Sequence, residues 1–186
     1  MEIYLIRHTT PKIAKGICYG QSDIDLTSIF KKEAEEVHQL IDKPLDYIFS
    51  SPLKRCANLA NSFDVSVQKE PRLMELSFGD WEMKKWKDIP QSALNEWMEN
   101  YVTQAPPKGE SYKKLKARVV EIFKGIISQN RASTGIITHA GPIRAILSHV
   151  LNLSLKDTFT LKIDYGSVTK ISLVEGHFTI DYINKK

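Results

Sequence analysis

The sequence is poor in cysteine: Cys18 and Cys56 are the only two among 186 residues. Two thiols are too few for a disulfide framework, and they lack the CxxC spacing of a zinc or redox motif. This scarcity argues against a disulfide-stabilised scaffold and against a cysteine-based metal site. We interpret both residues as reduced thiols in or near the core.

Long apolar runs are also missing. No stretch of about 18 apolar residues is present, so no transmembrane helix and no membrane partner are expected. The first residues, 1–7, lack the basic region and the apolar stretch of a signal peptide, and they read as a strand instead. The sequence therefore predicts a cytoplasmic location.

The chain has little excess charge of either sign. Its 26 Lys and Arg residues against 22 Asp and Glu residues leave a net charge of +4. Nucleic-acid binders usually cluster their basic side chains on one face, whereas here these are scattered in short pairs such as Lys31-Lys32 and Lys84-Lys85. We therefore expect no nucleic-acid partner, and the mild positive balance suits a small anionic substrate. The sequence leaves a homodimer open.

Internal repeats, low-complexity tracts and linkers are absent too, which predicts one domain over residues 1–186. Apolar residues alternate between strand-like and helix-like runs. The predicted strands are residues 3–6, 45–49, 65–68, 135–138, 167–174 and 177–183. The predicted helices follow Thr27 or Ser28, open at residues 50–52, and cover residues 86–101, 111–129 and 143–151. This order predicts an α/β fold: a three-layer α/β/α sandwich with a mostly parallel central sheet.

Local signals mark the ends of these elements. Thr27 or Ser28 would cap a helix whose apolar face runs as far as Ile41, and Pro44 would end it. In Ser50-Ser51-Pro52, a serine is the candidate cap and the proline suits a first helical turn. The pair Glu175-Gly176 predicts a hairpin between the last two strands.

Histidines follow two of the predicted strands. Arg7-His8 comes at the end of the first strand, and His139 comes 131 residues later (139 minus 8) at the end of another. Ligands of such folds bind beyond the carboxyl ends of the strands. We therefore expect His8 and His139 to be neighbours, although each residue alone is more typical of a hydrogen-bonded structural histidine.

The residue types at these positions suit phosphoryl transfer. That chemistry needs a nucleophile, positive groups around the phosphoryl oxygens, and an acid for the leaving oxygen. Neutral imidazole is a competent nucleophile, and Arg7 lies beside His8. Arg55 falls in the first turns of the helix opened by residues 50–52, where backbone N–H groups add further donors.

Four ordered blocks resemble the histidine phosphatase superfamily, which includes cofactor-dependent phosphoglycerate mutases. The blocks are Leu5–Thr10, Ser50–Ala57, Glu75–Glu82 and Thr138–Arg144, and Gly109–Ser111 is similar to the segment before the family's long helix. The resemblance extends from residue 3 to about residue 150. It implies a phosphoglycerate mutase-like fold and a phosphoric monoester hydrolase.

The resemblance also implies a role for each matching residue. His8 would carry the phosphoryl group, and Glu75 would protonate the leaving alkoxide and then take a proton from water. Arg7, Arg55 and His139 would hold the phosphoryl oxygens. This is a double displacement without metal or other cofactor. Asp80 and Glu82 compete with Glu75, and the weaker candidates for substrate contact are Gln21, Ser51 and Ala140.

The sequence departs from the family pattern just after His8. Thr9 replaces the usual glycine, Thr10-Pro11 replaces Glu-Thr, and Ala14 aligns with a common asparagine. A phosphate contact is therefore missing or is replaced, for example by a threonine hydroxyl or by Gln21.

The short chain argues against a phosphoglycerate mutase, because mutases of this family carry longer insertions. The run 78–82 most resembles α-ribazole phosphatases, which implies α-ribazole 5′-phosphate as the substrate, in cobalamin biosynthesis. Trp81, Trp86 and Trp97 could stack on its flat base, although filling the core is the favoured alternative. A broad-specificity or sugar-phosphate phosphatase, a mutase-like phosphotransferase and a non-catalytic binding module stay open as alternatives.

Overall fold

The computed structural model describes residues 1–186, and it alternates strands and helices. The strands are β1 (Glu2–Arg7), β2 (Tyr47–Ser50), β3 (Val67–Lys69), β4 (Ser133–Thr138), β5 (Val168–Val174) and β6 (His177–Lys185). The helices are α1 (Phe30–Gln39), α2 (Lys54–Ala60), α3 (Gln91–Asn100), α4 (Tyr112–Ile127) and α5 (Ala140–Val150). Short 3₁₀ turns lie between some of them. No helix has the length and apolar character that crossing a membrane requires.

The six strands form one mixed sheet in the order β3-β2-β4-β1-β5-β6. The first four in that order are parallel to one another, and β5 runs antiparallel to both β1 and β6. The predicted hairpin is confirmed: Glu175 and Gly176 both have positive φ angles, 50° and 81°, as a two-residue turn of type I′ requires.

Each face of the sheet is covered by helices. Alternate strand residues point to opposite faces, and in β1 both sets are apolar, so both faces need cover. Ile3 and Leu5 of β1 pack in a cluster with residues of α4 and α5. Tyr4 and Ile6 pack in a second cluster with residues of α1 and α2. All four β1 side chains are fully buried. The predicted three-layer α/β arrangement is therefore confirmed.

The predicted helix caps are wrong, because backbone and tertiary contacts replace them. Helix α1 begins after Ile29 without a side-chain cap, and the N–H of Phe30 donates to the carbonyl of Thr27. The helix ends at Gln39, before Ile41. Helix α2 begins at Lys54 after Leu53, without a side-chain cap. The hydroxyl of Ser51 contacts His139 at 2.9 Å and accepts only a long bond, of 3.4 Å, from the N–H of Leu53.

The region 86–101 is less helical than predicted. Residues 86–88 form a 3₁₀ turn, and α3 begins at Gln91. Ile89 is extended, as expected for a residue that precedes a proline, here Pro90. The remaining predicted elements are present, with ends that shift by up to three residues.

Candidate active site

The two histidines meet where β1 and β4 end side by side. Arg7 is in register with Thr138, and the backbone N–H of His8 donates to the carbonyl of Thr138 at 3.0 Å. His8 and His139 therefore leave the sheet together, and their ring centroids are 5.1 Å apart. The expectation that these residues are neighbours is correct.

The His8 ring is fixed in one tautomer. Its Nδ1 lies 2.7 Å from the carbonyl oxygen of Thr9, which only accepts hydrogen bonds, so Nδ1 carries the proton. Burial first, and then the charges of Arg55 and Arg7, hold the pKa of His8 well below its usual value. His8 is therefore neutral at neutral pH, with the lone pair on Nε2.

His139 is fully buried and uses both ring nitrogens. Its Nδ1 accepts from Nε of Arg55 at 3.3 Å, and its Nε2 lies 2.9 Å from the hydroxyl of Ser51. Burial is the largest cause that lowers the pKa of His139, followed by the charges of Arg55, His8 and Arg7. This histidine is also neutral.

These two lowered pKa values predict a loss of stability in acid. Below a pH of about 6.5 the histidines bind protons in the unfolded chain but not in the folded protein. The free energy of unfolding therefore decreases as the pH falls below about 6.5. The slope is at most about 1.4 kcal/mol per pH unit for each histidine. Urea unfolding between about pH 7.5 and pH 5.5 should give a flatter dependence for His139→Asn than for the wild type. Equal slopes in the wild type and in His139→Asn would contradict this account.

Two guanidiniums face the histidines without a carboxylate partner. Arg55 is fully buried on the first turn of α2, and its Nη1 and Nη2 donate to the carbonyls of Ser22 and Gly20. Arg7 donates from Nη1 to the carbonyl of Ile163. A desolvated cation that lacks a counterion is costly, and a bound anion would offset that cost. The site is therefore suited to an anionic group.

The loop that holds Arg55 is organised by Glu82. Its carboxylate accepts from the backbone N–H groups of Gln21 at 2.9 Å and Phe78 at 3.1 Å, and from both N–H and hydroxyl of Ser22. Burial acts to raise the pKa of Glu82, but these hydrogen bonds outweigh it, and the pKa is lowered. Glu82 is thus occupied in the loop, whereas Asp80 is exposed and pairs with Lys108.

Glu75 places its carboxylate against the first turn of α5. One oxygen accepts from the N–H of Gly141 at 3.2 Å, and the other accepts from the N–H of Leu76 at 2.8 Å. Arg118 holds the same peptide segment, donating to the carbonyls of Glu75 at 3.0 Å and Met74 at 2.7 Å. Glu75 lines the cavity, and neither Asp80 nor Glu82 does.

The close contact with Glu75 requires a glycine at position 141. A Cβ there would lie 2.1 Å from an oxygen of Glu75, so Gly141→Ala should displace the carboxylate. The resemblance implies that Glu75 is the proton donor, so we expect kcat/KM for alkyl phosphates to fall about tenfold or more, because small displacements of such a group are costly. Gly125→Ala on α4 is the matched control, since its Cβ would meet open space. If both variants had wild-type kcat/KM, the position of Glu75 would not matter.

A cavity of about 260 Å³ lies over these groups, and its outer wall is largely aromatic. His8, Arg7, Arg55, His139, Glu75, Ala140 and Gly141 line its base. Trp97 lines the outer wall, whereas Trp81 is buried in a cluster with Cys18 and Ile89, and Trp86 packs against Phe78 and Trp97. Sequence reasoning gave no individual role to the other residues of the wall, which are Tyr19, Leu76, Phe78, Tyr101, Tyr112, Arg144 and Phe159.

The weaker candidates lie around this cavity. Ala140 lines it, but the hydroxyl of Ser51 contacts His139, and the amide of Gln21 donates to the carbonyl of Glu75 at 3.0 Å. Among the departures, Thr9 is fully buried with no partner for its hydroxyl. Thr10 donates its hydroxyl to Glu33 at 2.6 Å. Direct contact of Gln21, Ser51 or Thr9 with substrate stays a prediction.

Metal-ligand geometry is not found here: no group of three or more His, Cys, Asp or Glu side chains is arranged to hold an ion. The site consists of two neutral imidazoles, two guanidiniums that have no carboxylate partner, and the carboxyl group of Glu75, in a cavity with a largely aromatic wall.

Several known proteins are similar to this chain along its whole length. The adenosylcobalamin/α-ribazole phosphatase of Salmonella typhimurium is 24% identical to this chain. The match covers 100% of this chain and 97% of the Salmonella protein. Two Hydrogenobacter thermophilus proteins named as phosphoserine phosphatases, one of them provisionally, are 27% and 26% identical. Both matches cover 99% of this chain, and they cover 95% and 92% of the relatives.

The fold is also found among solved structures. The α-ribazole phosphatase of Shigella flexneri superposes with a TM-score of 0.90 at 23% identity, covering 100% of this chain and 96% of that one. The sequence profile of the histidine phosphatase superfamily (branch 1) matches residues 3–186. The chain belongs to the histidine phosphatase superfamily.

Proposed function

We propose that this phosphatase hydrolyses small phosphate monoesters through a phosphohistidine at His8. The observation that carries the proposal is the neutral Nε2 of His8 beside the guanidiniums of Arg7 and Arg55, neither of which has a carboxylate partner. A phosphate dianion would supply the missing negative charge, and His8 would supply the electron pair.

In the first step, Nε2 of His8 attacks phosphorus while the ester P–O bond breaks. Arg7 and Arg55 hold the phosphoryl oxygens, whose charge the guanidiniums stabilise throughout. His139 joins them by turning its Nε2–H from the hydroxyl of Ser51 to a phosphoryl oxygen. Glu75 gives a proton to the leaving alkoxide, which departs as an alcohol. The products of this step are the free alcohol and phosphorylated His8.

In the second step, a water molecule enters the position that the alcohol has left. Glu75, now ionised, takes a proton from that water as the oxygen attacks phosphorus. The P–N bond breaks, inorganic phosphate leaves, and His8 recovers its lone pair on Nε2. One carboxylate thus acts as the acid in the first step and as the base in the second.

The substrate that we propose is α-ribazole 5′-phosphate, which would place the enzyme in cobalamin biosynthesis in the cytoplasm. The aromatic wall supports this choice, because rings such as Trp97, Tyr101 and Phe159 offer faces and edges to a flat base. The similar Salmonella and Shigella proteins are named for this activity. Because their identity is below 25%, the wall is the stronger argument.

Phosphoserine is a second candidate, and Arg144 favours it. This guanidinium lines the cavity, pairs with no carboxylate, and donates to the carbonyl of Leu161. Arg7 donates to the carbonyl of Ile163, two residues further along the same segment, so Arg144 lies next to the phosphate-binding group. A substrate carboxylate close to the phosphate ester would find a partner there.

A substrate panel that includes the variant Arg144→Met tests both candidates. The panel holds α-ribazole 5′-phosphate, phosphoserine, 3-phosphoglycerate and glucose 6-phosphate. If α-ribazole 5′-phosphate is the substrate, it should have the highest kcat/KM of the four esters. Arg144→Met should lower that kcat/KM only slightly. Highest activity with phosphoserine, lost by about tenfold or more in Arg144→Met, would favour the second candidate.

The products of the same reactions separate hydrolysis from transfer. A phosphatase releases one inorganic phosphate for each ester consumed. Phosphate that appears on a second substrate hydroxyl would instead favour a mutase-like phosphotransferase. Equal kcat/KM for all four esters would favour a broad-specificity enzyme. No turnover of any ester would favour a non-catalytic binding module.

A further inference from the structure

Two tyrosines from distant parts of the chain touch above the phosphate-binding groups. Tyr19 lies in the long loop between β1 and α1, and Tyr165 lies just before β5, 146 residues away. Their hydroxyl oxygens are 2.5 Å apart, which is a short hydrogen bond. The family blocks include neither residue, and the mechanism above uses neither.

Each tyrosine packs against one of the two arginines. The guanidinium carbon of Arg7 lies 3.8 Å from the centre of the Tyr165 ring, and that of Arg55 lies 5.6 Å from the centre of the Tyr19 ring. Both distances are within the range of a cation–π contact. The Tyr165 ring also lies beside His8, with ring centroids 5.4 Å apart.

The backbone around each tyrosine holds the same arginine. Arg7 donates to the carbonyl of Ile163, two residues before Tyr165. Arg55 donates to the carbonyls of Gly20 and Ser22, just after Tyr19. Each guanidinium is therefore fixed by one segment, through a ring and through carbonyl oxygens. The hydroxyl–hydroxyl bond is the side-chain contact that joins the two segments across the site.

We infer that the Tyr19–Tyr165 pair is a positioning device, which sets the spacing of the Arg7 and Arg55 guanidiniums for the phosphoryl group. This inference rests on the proposed function, because it assumes that both arginines bind phosphate. Burial first, and then the hydrogen bond to Tyr165, raises the pKa of Tyr19, so Tyr19 keeps its proton at neutral pH. The bond between the two hydroxyls thus links the segment that holds Arg7 to the segment that holds Arg55.

A double-mutant cycle tests the pair. The proteins are wild type, Tyr19→Phe, Tyr165→Phe and the double variant, and the measurements are KM with nitrophenyl phosphate and the inhibition constant of inorganic phosphate. Phenylalanine keeps each ring and removes only the hydroxyl. Each single variant should weaken phosphate binding about fivefold, which is the value of one ordinary hydrogen bond. The double variant should lose no more than either single variant, because the hydroxyls act on each other.

Tyr182→Phe is the matched control. Its hydroxyl donates to the carbonyl of Leu40 at 3.3 Å, and its ring packs against the cluster that Tyr4 and Ile6 form with residues of α1 and α2. This variant should keep the wild-type KM and inhibition constant. Thermal unfolding of all variants checks the fold. The kinetic measurements are made below the unfolding temperature of the least stable variant, because Tyr19→Phe alone cannot separate positioning from direct contact with the substrate.

Two outcomes would overturn the inference. Losses that add in the double variant would mean that the hydroxyls act independently. A loss in Tyr19→Phe with none in Tyr165→Phe would mean that Tyr19 contacts the substrate directly. Both outcomes are distinct from a failure of the proposed function, in which the wild-type enzyme itself would hydrolyse none of the esters.

Discussion

Replacing His8 with alanine should lower kcat by at least about a thousandfold with every phosphate ester. The cavity offers no other group for the phosphoryl transfer. Both nitrogens of His139 are engaged by Arg55 and Ser51, and burial raises the pKa of the nearby Tyr19 and Tyr112 hydroxyls. Steady-state hydrolysis of nitrophenyl phosphate and of an alkyl phosphate gives the measurement.

Binding should survive in the same variant. Arg7 and Arg55 are held by carbonyl oxygens rather than by His8, so inorganic phosphate should still bind within a few-fold of the wild-type affinity. The control is His177→Ala, which removes an exposed imidazole from β6 and should have full activity. Substantial turnover by His8→Ala would refute the assignment of the nucleophile.

The second large effect is expected from Glu75→Gln, and it should depend on the leaving group. An alkoxide needs a proton as the P–O bond breaks, whereas nitrophenolate leaves readily without one. We expect kcat/KM to fall about a hundredfold for an alkyl phosphate and less than tenfold for nitrophenyl phosphate. The ratio kcat/KM is the correct quantity, because it does not include the hydrolysis of phosphohistidine. Both esters form the same phosphohistidine, so the effect of Glu75→Gln on that step does not depend on the leaving group.

Asp80→Asn is the control for this experiment. Asp80 lies five residues after Glu75, is exposed, and pairs with Lys108 outside the cavity. Its variant should keep the wild-type kcat/KM with both esters. If Glu75→Gln lost the same factor with alkyl and nitrophenyl phosphates, Glu75 would not be the acid, and a general structural effect would explain the loss.

The base of the site could be predicted from the sequence because regular elements position it. Parallel strands end at one edge of a sheet, so Arg7, His8 and His139 had to lie near one another once β1 and β4 were neighbours. The position of Arg55 could be predicted because residues 50–52 mark the start of α2, and Arg55 lies in its first turn. The position of Glu75 depended on the resemblance to a known family, since periodicity gives no information about an irregular segment.

The outer wall and the positioning groups could not be predicted in the same way. Tyr19, Tyr165 and Phe159 lie in loops or a 3₁₀ turn, and their places depend on contacts across the whole chain. Arg144 was within a matched block but had no assigned role. The cap at Ser51 was wrongly predicted for a related reason: local signals do not reveal that a distant histidine, His139, uses the same hydroxyl.

The most direct test is to identify the phosphorylated residue in the wild-type enzyme during turnover. Rapid mixing with substrate, quenching in base and mass spectrometry of the peptides should find an acid-labile phosphoryl group on His8. Phosphate on another residue would contradict the account. So would single-turnover kinetics without a phosphoenzyme, together with inversion of configuration at phosphorus, because inversion indicates direct attack by water.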